Sequence, residues 1–168
     1  MYLGGSAGNI GQISFYDAAR GEAYRDFADP VAMTARSLVE GVFGIQPNSM
    51  KSALIIKPGF PAAWNNASIS LPDISIDFKR KGKEDVYIIV PAFPKKMQLK
   101  LVVKANGSAI QSILVNGKKV RWKNVADAIA TPLIEINEVA QPKYVVKIVW
   151  TGSKAIAIGK QEKYVNAD

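Results

Sequence analysis

The N-terminal part of this 168-residue chain carries a group of side chains that could act on a sugar. Four carboxylates, two tyrosines and two arginines lie within residues 16–29: Asp17, Glu22, Asp26, Asp29, Tyr16, Tyr24, Arg20 and Arg25. Two carboxylates at a suitable separation can hydrolyse a glycosidic bond. Acidic residues in loops before a helix are more often solvated or used as helix caps, so the cluster by itself assigns no catalytic residue.

The chain contains no histidine and no cysteine. The absence of histidine excludes Ser-His-Asp machinery and removes the commonest ligand of zinc, copper and non-haem iron. The absence of cysteine excludes disulfides, thiolate metal sites and thiol nucleophiles. We therefore expect no metal site and no cofactor, and any catalysis would depend on carboxylates, lysine, tyrosine or a Ser-Lys pair.

Two tryptophans are candidates for sugar contact. Trp64 follows a proline-rich turn and precedes Asn65 and Asn66, so its indole could face a sugar ring beside amide hydrogen-bonding groups, or could plug the end of a β-sandwich. Trp122 follows a lysine-rich hairpin and is predicted to be half exposed, whereas Trp150 alternates within an apolar strand and is predicted to be core. For each tryptophan, packing is the commoner role in a β-domain.

Positive charge is concentrated after residue 50. Residues 1–50 carry three Arg or Lys against five Asp or Glu, whereas residues 51–168 carry nineteen against nine. The basic clusters are Lys79, Arg80, Lys81 and Lys83; Lys95 and Lys96; and Lys118, Lys119, Arg121 and Lys123. With Trp122 among them they could bind nucleic acid with a steep salt dependence, but each cluster lies at a predicted turn, where lysines commonly protect sheet edges. We therefore expect that nucleic acid is not a partner.

The predicted secondary structure that positions these residues changes from helix to strand between residues 29 and 61. Asp29 suits a helix N-cap and Pro30 the first helical position. An apolar stripe of helical period follows: Val31, Ala35, Leu38, Val39 and Val42. Gly44 suits the left-handed position after a helix, and Pro47 prevents its resumption. The pattern predicts one helix with one buried face.

After Pro47 the apolar period is that of strands. Strands are predicted at 69–71, 74–78, 86–90, 99–103, 113–115, 120–122, 133–136, 144–150 and 155–158. Asn116-Gly117 predicts a two-residue hairpin turn, because such a turn needs positive φ at both positions. The predicted fold is mainly β: an antiparallel β-sandwich preceded by one α-helix and an irregular N-terminal stretch, with residues 1–46 as loop and helix and 47–168 as the sandwich domain.

Length and hydropathy add two expectations. At 168 residues and 48% hydrophobic content, the chain can bury one core of ordinary size. No apolar run is long enough to cross a bilayer, and the N-terminus lacks the organisation of a signal peptide, so an export signal would lie upstream of this sequence.

The stretch RSLVEGVFGIQPNSMKSALIIKPGFPAAWNNASISLPDISIDFKRKG resembles a junction in bacterial (α/α)6-barrel glycoside hydrolases of the α-L-rhamnosidase and α-fucosidase type. In those enzymes the last barrel helix enters a C-terminal β-sandwich. The matching features are a helix ending, a corner with two prolines, a tryptophan and an alternating strand, here residues 42–47, 58–61, 64 and 74–78. The resemblance covers most of residues 29–122, and it departs at Leu71-Pro72-Asp73, where those families usually have a glycine.

The resemblance implies that residues 1–46 are a remnant of an upstream helical barrel and that the catalytic carboxylates lie on barrel loops before the final helix. This chain would then contain no catalytic residue, and its sandwich would stabilise the catalytic barrel. Tyr16, Asp17 and Arg20 would line the sugar pocket, with Trp64 and Trp122 as further candidates for glycan contact. The implied location is periplasmic or extracellular. The alternatives are an independent carbohydrate-binding or adhesion module and, third, a basic nucleic-acid-binding β-domain.

Overall fold

The computed structural model describes residues 28–126, 128 and 131–153. The chain divides between Val42 and Phe43 into two compact units. The predictions for Tyr16, Asp17 and Arg20, and for a strand at 155–158, lie outside the described residues.

The described part of the first unit is helical. Helix α1 spans Ala28–Arg36, and a π-helical segment continues over Ser37–Val42. The change of helix type coincides with Ser37, whose Oγ donates to the carbonyl oxygen of Met33 at 2.8 Å; such bonds to the preceding turn bend helices. Because α1 already includes Ala28, Asp29 is a helical residue and not the residue before the helix.

The predicted buried face of this helix is wrong for the described residues. Of the predicted stripe, Ala35 is exposed, Leu38 is 47% exposed, and Val39 and Val42 are only half-buried. No residue of the π-helical segment is buried. The helical period of the apolar residues correctly predicts a helix, but period indicates only which side chains share a face. It does not ensure that something covers that face.

The second unit consists of strands, of which eleven lie within the described residues. They are β1 (Ile45–Asn48), β2 (Ala53–Ile56), β3 (Asn66–Leu71), β4 (Ile74–Lys81), β5 (Glu84–Pro91), β6 (Gln98–Lys104), β7 (Ala109–Val115), β8 (Lys118–Lys119), β9 (Trp122–Asn124), β10 (Leu133–Glu138) and β11 (Tyr144–Thr151). One sheet has the order β1-β2-β6-β10-β9 and the other β3-β4-β5-β11-β7-β8. Every pairing is antiparallel except β2 with β6. The predicted mainly-β fold of sandwich type is confirmed.

Alternating side chains from both sheets form the core. In β4, Ile74, Ile76 and Phe78 are buried, whereas Ser75 and Asp77 are half-buried on the other face. Trp150 is 2% exposed, as predicted. The largest fully buried side chains are Trp150, Tyr144, Phe78, Leu54, Ile56, Ile76, Ile89, Leu99, Leu101, Ile113, Ile136 and Ile148.

The hairpin at Asn116-Gly117 is confirmed, with φ of 50° and 78° at the two turn residues and β7 paired to β8. The predicted strand at 120–122 is wrong. Instead, β8 lies at one edge of the six-stranded sheet, and β9 lies at one edge of the five-stranded sheet, so the chain crosses between the sheets there. The exposed lysines of β8 are thus on an edge strand, where they oppose pairing with another chain.

Glu135 is a buried charge on the face of β10 opposite to that of the core residues Ile134 and Ile136. Its carboxylate accepts from Lys100 Nζ at 2.9 Å, Lys123 Nζ at 3.0 Å and Asn137 Nδ2 at 2.8 Å. Burial alone would raise the pKa of Glu135, but hydrogen bonds from Asn137, Lys100 and Lys123 outweigh it and lower that pKa from 4.5 to about 2.

This carboxylate should make stability depend on pH. Because its folded-state pKa is depressed, its contribution is present above about pH 4.5 and is lost as the pH falls towards 2. The two lysines are partly exposed, so solvent screening limits the effect. We expect Glu135→Gln to lower the free energy of unfolding by about 1 kcal/mol at pH 7 and by progressively less below pH 4.5.

Urea unfolding at a series of pH values measures this difference. Glu138→Gln is the matched control, because Glu138 lies on the same strand and forms no ion pair with any other described residue. If Glu135→Gln lowers the free energy of unfolding by the same amount from pH 7 to pH 2, the depressed pKa of Glu135 is contradicted.

Candidate functional site: a cavity with aromatic and basic walls

A row of aromatic rings connects the surface of the second unit to its core. Trp64 stacks on Phe60 with ring centroids 6.2 Å apart, Phe60 stacks on Phe78 at 5.0 Å, and Phe78 contacts Tyr87 at 4.8 Å. Phe43 meets the edge of Phe60 at 5.3 Å. A turn closed by the Trp64 amide and the Pro61 carbonyl, 3.0 Å apart, holds the outer end of the row.

Beside this row lies a cavity of about 420 Å³. Its lining comes from the segment before β3, from the strand pair β4 and β5, and from the end of β6. The described lining residues are Pro58, Phe60, Pro61, Ala62, Phe78, Arg80, Lys83, Tyr87, Lys104, Ala105, Asn106 and Thr131. The cavity therefore has an apolar side formed by prolines and aromatic rings, and a basic side.

Hydrogen bonds between two turns hold the basic side together. Lys83 Nζ donates to the Asn106 carbonyl at 2.9 Å, and Asn106 Nδ2 donates to the Gly82 carbonyl at 3.1 Å. The β4–β5 turn and the β6–β7 turn are therefore tied to each other. On its other side the β6–β7 turn lies close to β11, because a Cβ at Gly107 would press on the backbone of Thr151.

Beneath the basic side lies a buried ion pair. Arg80 Nε and Nη2 donate to the two oxygens of Asp85 at 2.6 and 2.8 Å, and Trp150 Nε1 donates to the same carboxylate at 2.9 Å. Asp85 is fully buried. Hydrogen bonding to Asp85, opposed by the desolvation of burial, raises the pKa of the Arg80 guanidinium. The guanidinium also lies 5.3 Å from the Phe78 ring centroid.

Several polar groups of the cavity remain available to a ligand. Within the described residues, Lys104 forms no ion pair and the Tyr87 hydroxyl makes no hydrogen bond, while Lys83 uses one donor on Asn106. Burial raises the pKa of Tyr87 far above its ordinary value, so the phenol stays protonated. The cavity can donate hydrogen bonds to an anion, but no carboxylate is among its described lining residues.

The sequence-predicted sugar contacts occupy different places. Trp64 is 42% exposed and reaches the cavity only through Phe60. Trp122 is also 42% exposed, lies on the edge strand β9, and is not among the lining residues. Asn65 and Asn66 line a second, more open groove of about 650 Å³ with Asp77, Lys79 and neighbouring residues. The structure therefore does not gather Trp64 and Trp122 into one site.

Sequence reasoning missed the cavity, although one pattern pointed to it. The buried row of β4 continues in steps of two from Ile74 through Phe78 to Arg80. Arg80 belongs to that inward row and Lys79 and Lys81 do not, although the three form one basic cluster in the sequence. Lys104 lies at the cavity because of how the chain folds, and no local sequence pattern indicates that position.

The described residues contain neither a metal-binding cluster nor a membrane-spanning helix. They contain no group of three Asp, Glu, His or Cys side chains placed to hold a metal ion. None of their helices combines the length and the apolar character needed to cross a membrane. Comparison of the chain with protein-family models, curated proteins and solved structures finds no match.

Proposed function

We propose that this chain is a noncatalytic C-terminal β-sandwich module of a carbohydrate-active enzyme, a glycoside hydrolase of the barrel type. In this proposal α1 and the π-helical segment are the last helix of an upstream catalytic barrel, and the sandwich stabilises that barrel. The observation that carries it is the uncovered apolar stripe, on which Leu38 is 47% exposed. The resemblance of the junction residues supplies the kind of partner.

The uncovered stripe matters because short helices are stabilised mainly by packing an apolar face. A helix of fewer than about 12–15 residues is marginal in water on its own. α1 and the π-helical segment together form one stretch of fifteen residues, which lies at the upper end of this range. Covering Leu38 and its neighbours with further helices would remove apolar surface from water, as the last helix of a barrel requires.

The roles of the buried carboxylates also support a noncatalytic module. Asp85 is bound by Arg80 and Trp150, and Glu135 by two lysines and Asn137. Both act as partners of fixed cations, and neither lines the cavity. A periplasmic or extracellular location belongs to the same proposal, since the parent enzyme would act on polysaccharide outside the cytoplasm.

Leu38→Ser, introduced into the native gene, should destabilise the native product. If the stripe packs against a barrel, the substitution removes buried apolar contacts and should lower the temperature at which the product leaves the soluble fraction by several degrees. Immunoblotting of heated cell extracts measures this temperature without knowledge of the substrate. Met50→Ser is the matched control, because Met50 is 95% exposed in a turn and its loss should change nothing.

Equal behaviour of Leu38→Ser and wild type would reject the barrel contact. The same immunoblot reports the mass of the native product, and a product of 168 residues would reject the module. Reproducible glycosidase turnover by the purified chain, abolished by Asp17→Asn or Glu22→Gln, would show that the chain is catalytic.

An independent carbohydrate-binding module is the second candidate. The observation favouring it is the half-exposed Trp64 indole, which is supported from below by Phe60 and so offers a ring face of fixed orientation. Calorimetry against plant and host glycans, with Trp64→Ala and Trp122→Ala, distinguishes this candidate from the structural module. The binding module requires a measurable affinity that Trp64→Ala lowers.

A further inference from the structure

We infer that the cavity between the β4–β5 turn and the end of β6 binds a sugar residue that carries a carboxylate, a hexuronic acid, with the carboxylate on the basic side and a ring face on the apolar side. This site goes beyond the proposed structural role, because a module can stabilise a barrel with or without it. The charge of the cavity, its unused hydrogen-bond donors and its shape all favour such a ligand.

The cavity carries an excess of positive charge that none of its described lining residues neutralises. Arg80, Lys83 and Lys104 line it, and no acidic residue is among the described lining residues. Asp85 beneath the wall offsets only Arg80. Lys83 and Lys104 are exposed side chains at the cavity and have no countercharge among the described residues. A recess concentrates field lines, so an anion is attracted there more strongly than at a flat surface.

The cations also hold unused hydrogen-bond donors. A lysine ammonium has three donors, of which Lys83 directs one to the Asn106 carbonyl. Lys104 and the Tyr87 hydroxyl have no hydrogen-bond partner within the described part of the chain. A carboxylate is an acceptor with about four lone-pair sites, so it can engage several of these donors through short, charge-assisted hydrogen bonds.

The apolar lining of the cavity favours a ligand that is larger than a small inorganic anion. Pro58, Phe60, Pro61 and Ala62 present apolar surface to the cavity. The volume of about 420 Å³ falls in the range of small-molecule sites, about 300–1,000 Å³. A pyranose ring offers C–H groups to such a surface, and a uronic acid adds the charge that the basic side requires. A neutral sugar would leave the lysines without a countercharge.

Titration of the ¹⁵N-labelled full chain with D-glucuronate tests the site. We expect saturable shifts of the backbone amide signals of Ala105 and Asn106, which line the cavity. D-glucose should cause no such shifts at the same concentrations. Lys104→Gln should raise the dissociation constant for glucuronate about tenfold, since one charge-assisted hydrogen bond is lost.

Lys118→Gln is the matched control, because it removes the same charge from the exposed edge strand β8 and should change the affinity less than about twofold. Lys83→Gln is a second cavity variant and should weaken binding as Lys104→Gln does.

The inference is overturned if glucuronate does not bind, if glucose binds equally well, or if Lys118→Gln weakens binding as much as Lys104→Gln. Inorganic phosphate that binds as tightly as glucuronate, with the same response to Lys104→Gln, would overturn the sugar assignment. None of these outcomes alters the native mass or the Leu38→Ser result, so failure here is distinguishable from failure of the proposed module.

Discussion

Asp85→Asn should lower the free energy of unfolding by about 3 kcal/mol, because breaking a buried ion pair leaves its partner without compensation. Asp85 is fully buried and receives three hydrogen bonds from Arg80 and Trp150. Asparagine keeps the size of the side chain but removes the charge that balances the guanidinium. It also replaces one acceptor oxygen with an amide donor, so one of the three bonds must be lost.

Urea unfolding followed by circular dichroism measures this effect. Asp77→Asn is the matched control: Asp77 lies on β4, its side chain is 42% exposed, and its nearest cation, Lys79 Nζ, is 3.8 Å away. The control should change stability by less than about 0.5 kcal/mol. Equal effects of Asp85→Asn and Asp77→Asn would show that the Arg80–Asp85 pair contributes no more than a surface pair.

A double-mutant cycle separates the pair from the packing around it. Arg80→Gln alone should leave Asp85 as a buried, uncompensated carboxylate, whereas Arg80→Gln with Asp85→Asn leaves no charge to compensate. The double variant should therefore be more stable than the sum of the two single losses predicts, by more than 1 kcal/mol. Strict additivity would mean that the two side chains stabilise the fold independently.

The elements of the sandwich could be predicted because their causes are local. Alternation of apolar and polar residues directed Ile74, Ile76 and Phe78 to the core, and Asn116-Gly117 formed the predicted turn. Each of these features depends on a few neighbouring residues, whose φ angles and side-chain directions follow from strand geometry. The strand predicted at 120–122 failed because alternation does not reveal that a chain leaves one sheet for another.

The candidate site could not be predicted, because its parts meet only in the folded chain. Lys83 and Asn106 are 23 positions apart, and Asp85 and Trp150 are 65 apart, yet both pairs are joined by hydrogen bonds. A lysine in a turn has the same sequence pattern whether it faces solvent or a cavity. The Arg80–Asp85 pair was closer to prediction, because the two residues are direct cross-strand partners in one hairpin.

Gly44→Ala should lower the free energy of unfolding by about 3 kcal/mol, the sum of backbone strain and overlap. Gly44 has φ of 66°, which disfavours any residue with a Cβ. A Cβ there would overlap the backbone of Lys57, which pairs with Gly44 through an N–H to carbonyl hydrogen bond of 2.9 Å. The substitution should therefore separate the chain at the point where β1 begins to pair with β2.

Gly82→Ala separates the two causes, because Gly82 has nearly the same φ, 59°, but nothing lies within 4 Å of the position of its Cβ. Gly82→Ala should lower the free energy of unfolding by about 1 kcal/mol, the cost of backbone strain alone. Urea unfolding of both variants gives the difference, which is the contribution of the close approach of Gly44 to Lys57. The predicted left-handed conformation of Gly44 is confirmed by its φ of 66°, two positions after the helical segment ends at Val42. If the two alanine variants lose equal stability, glycine is needed at position 44 only for its positive φ. If Gly44→Ala loses more, glycine is needed there chiefly to let the first strand of the sandwich meet the second.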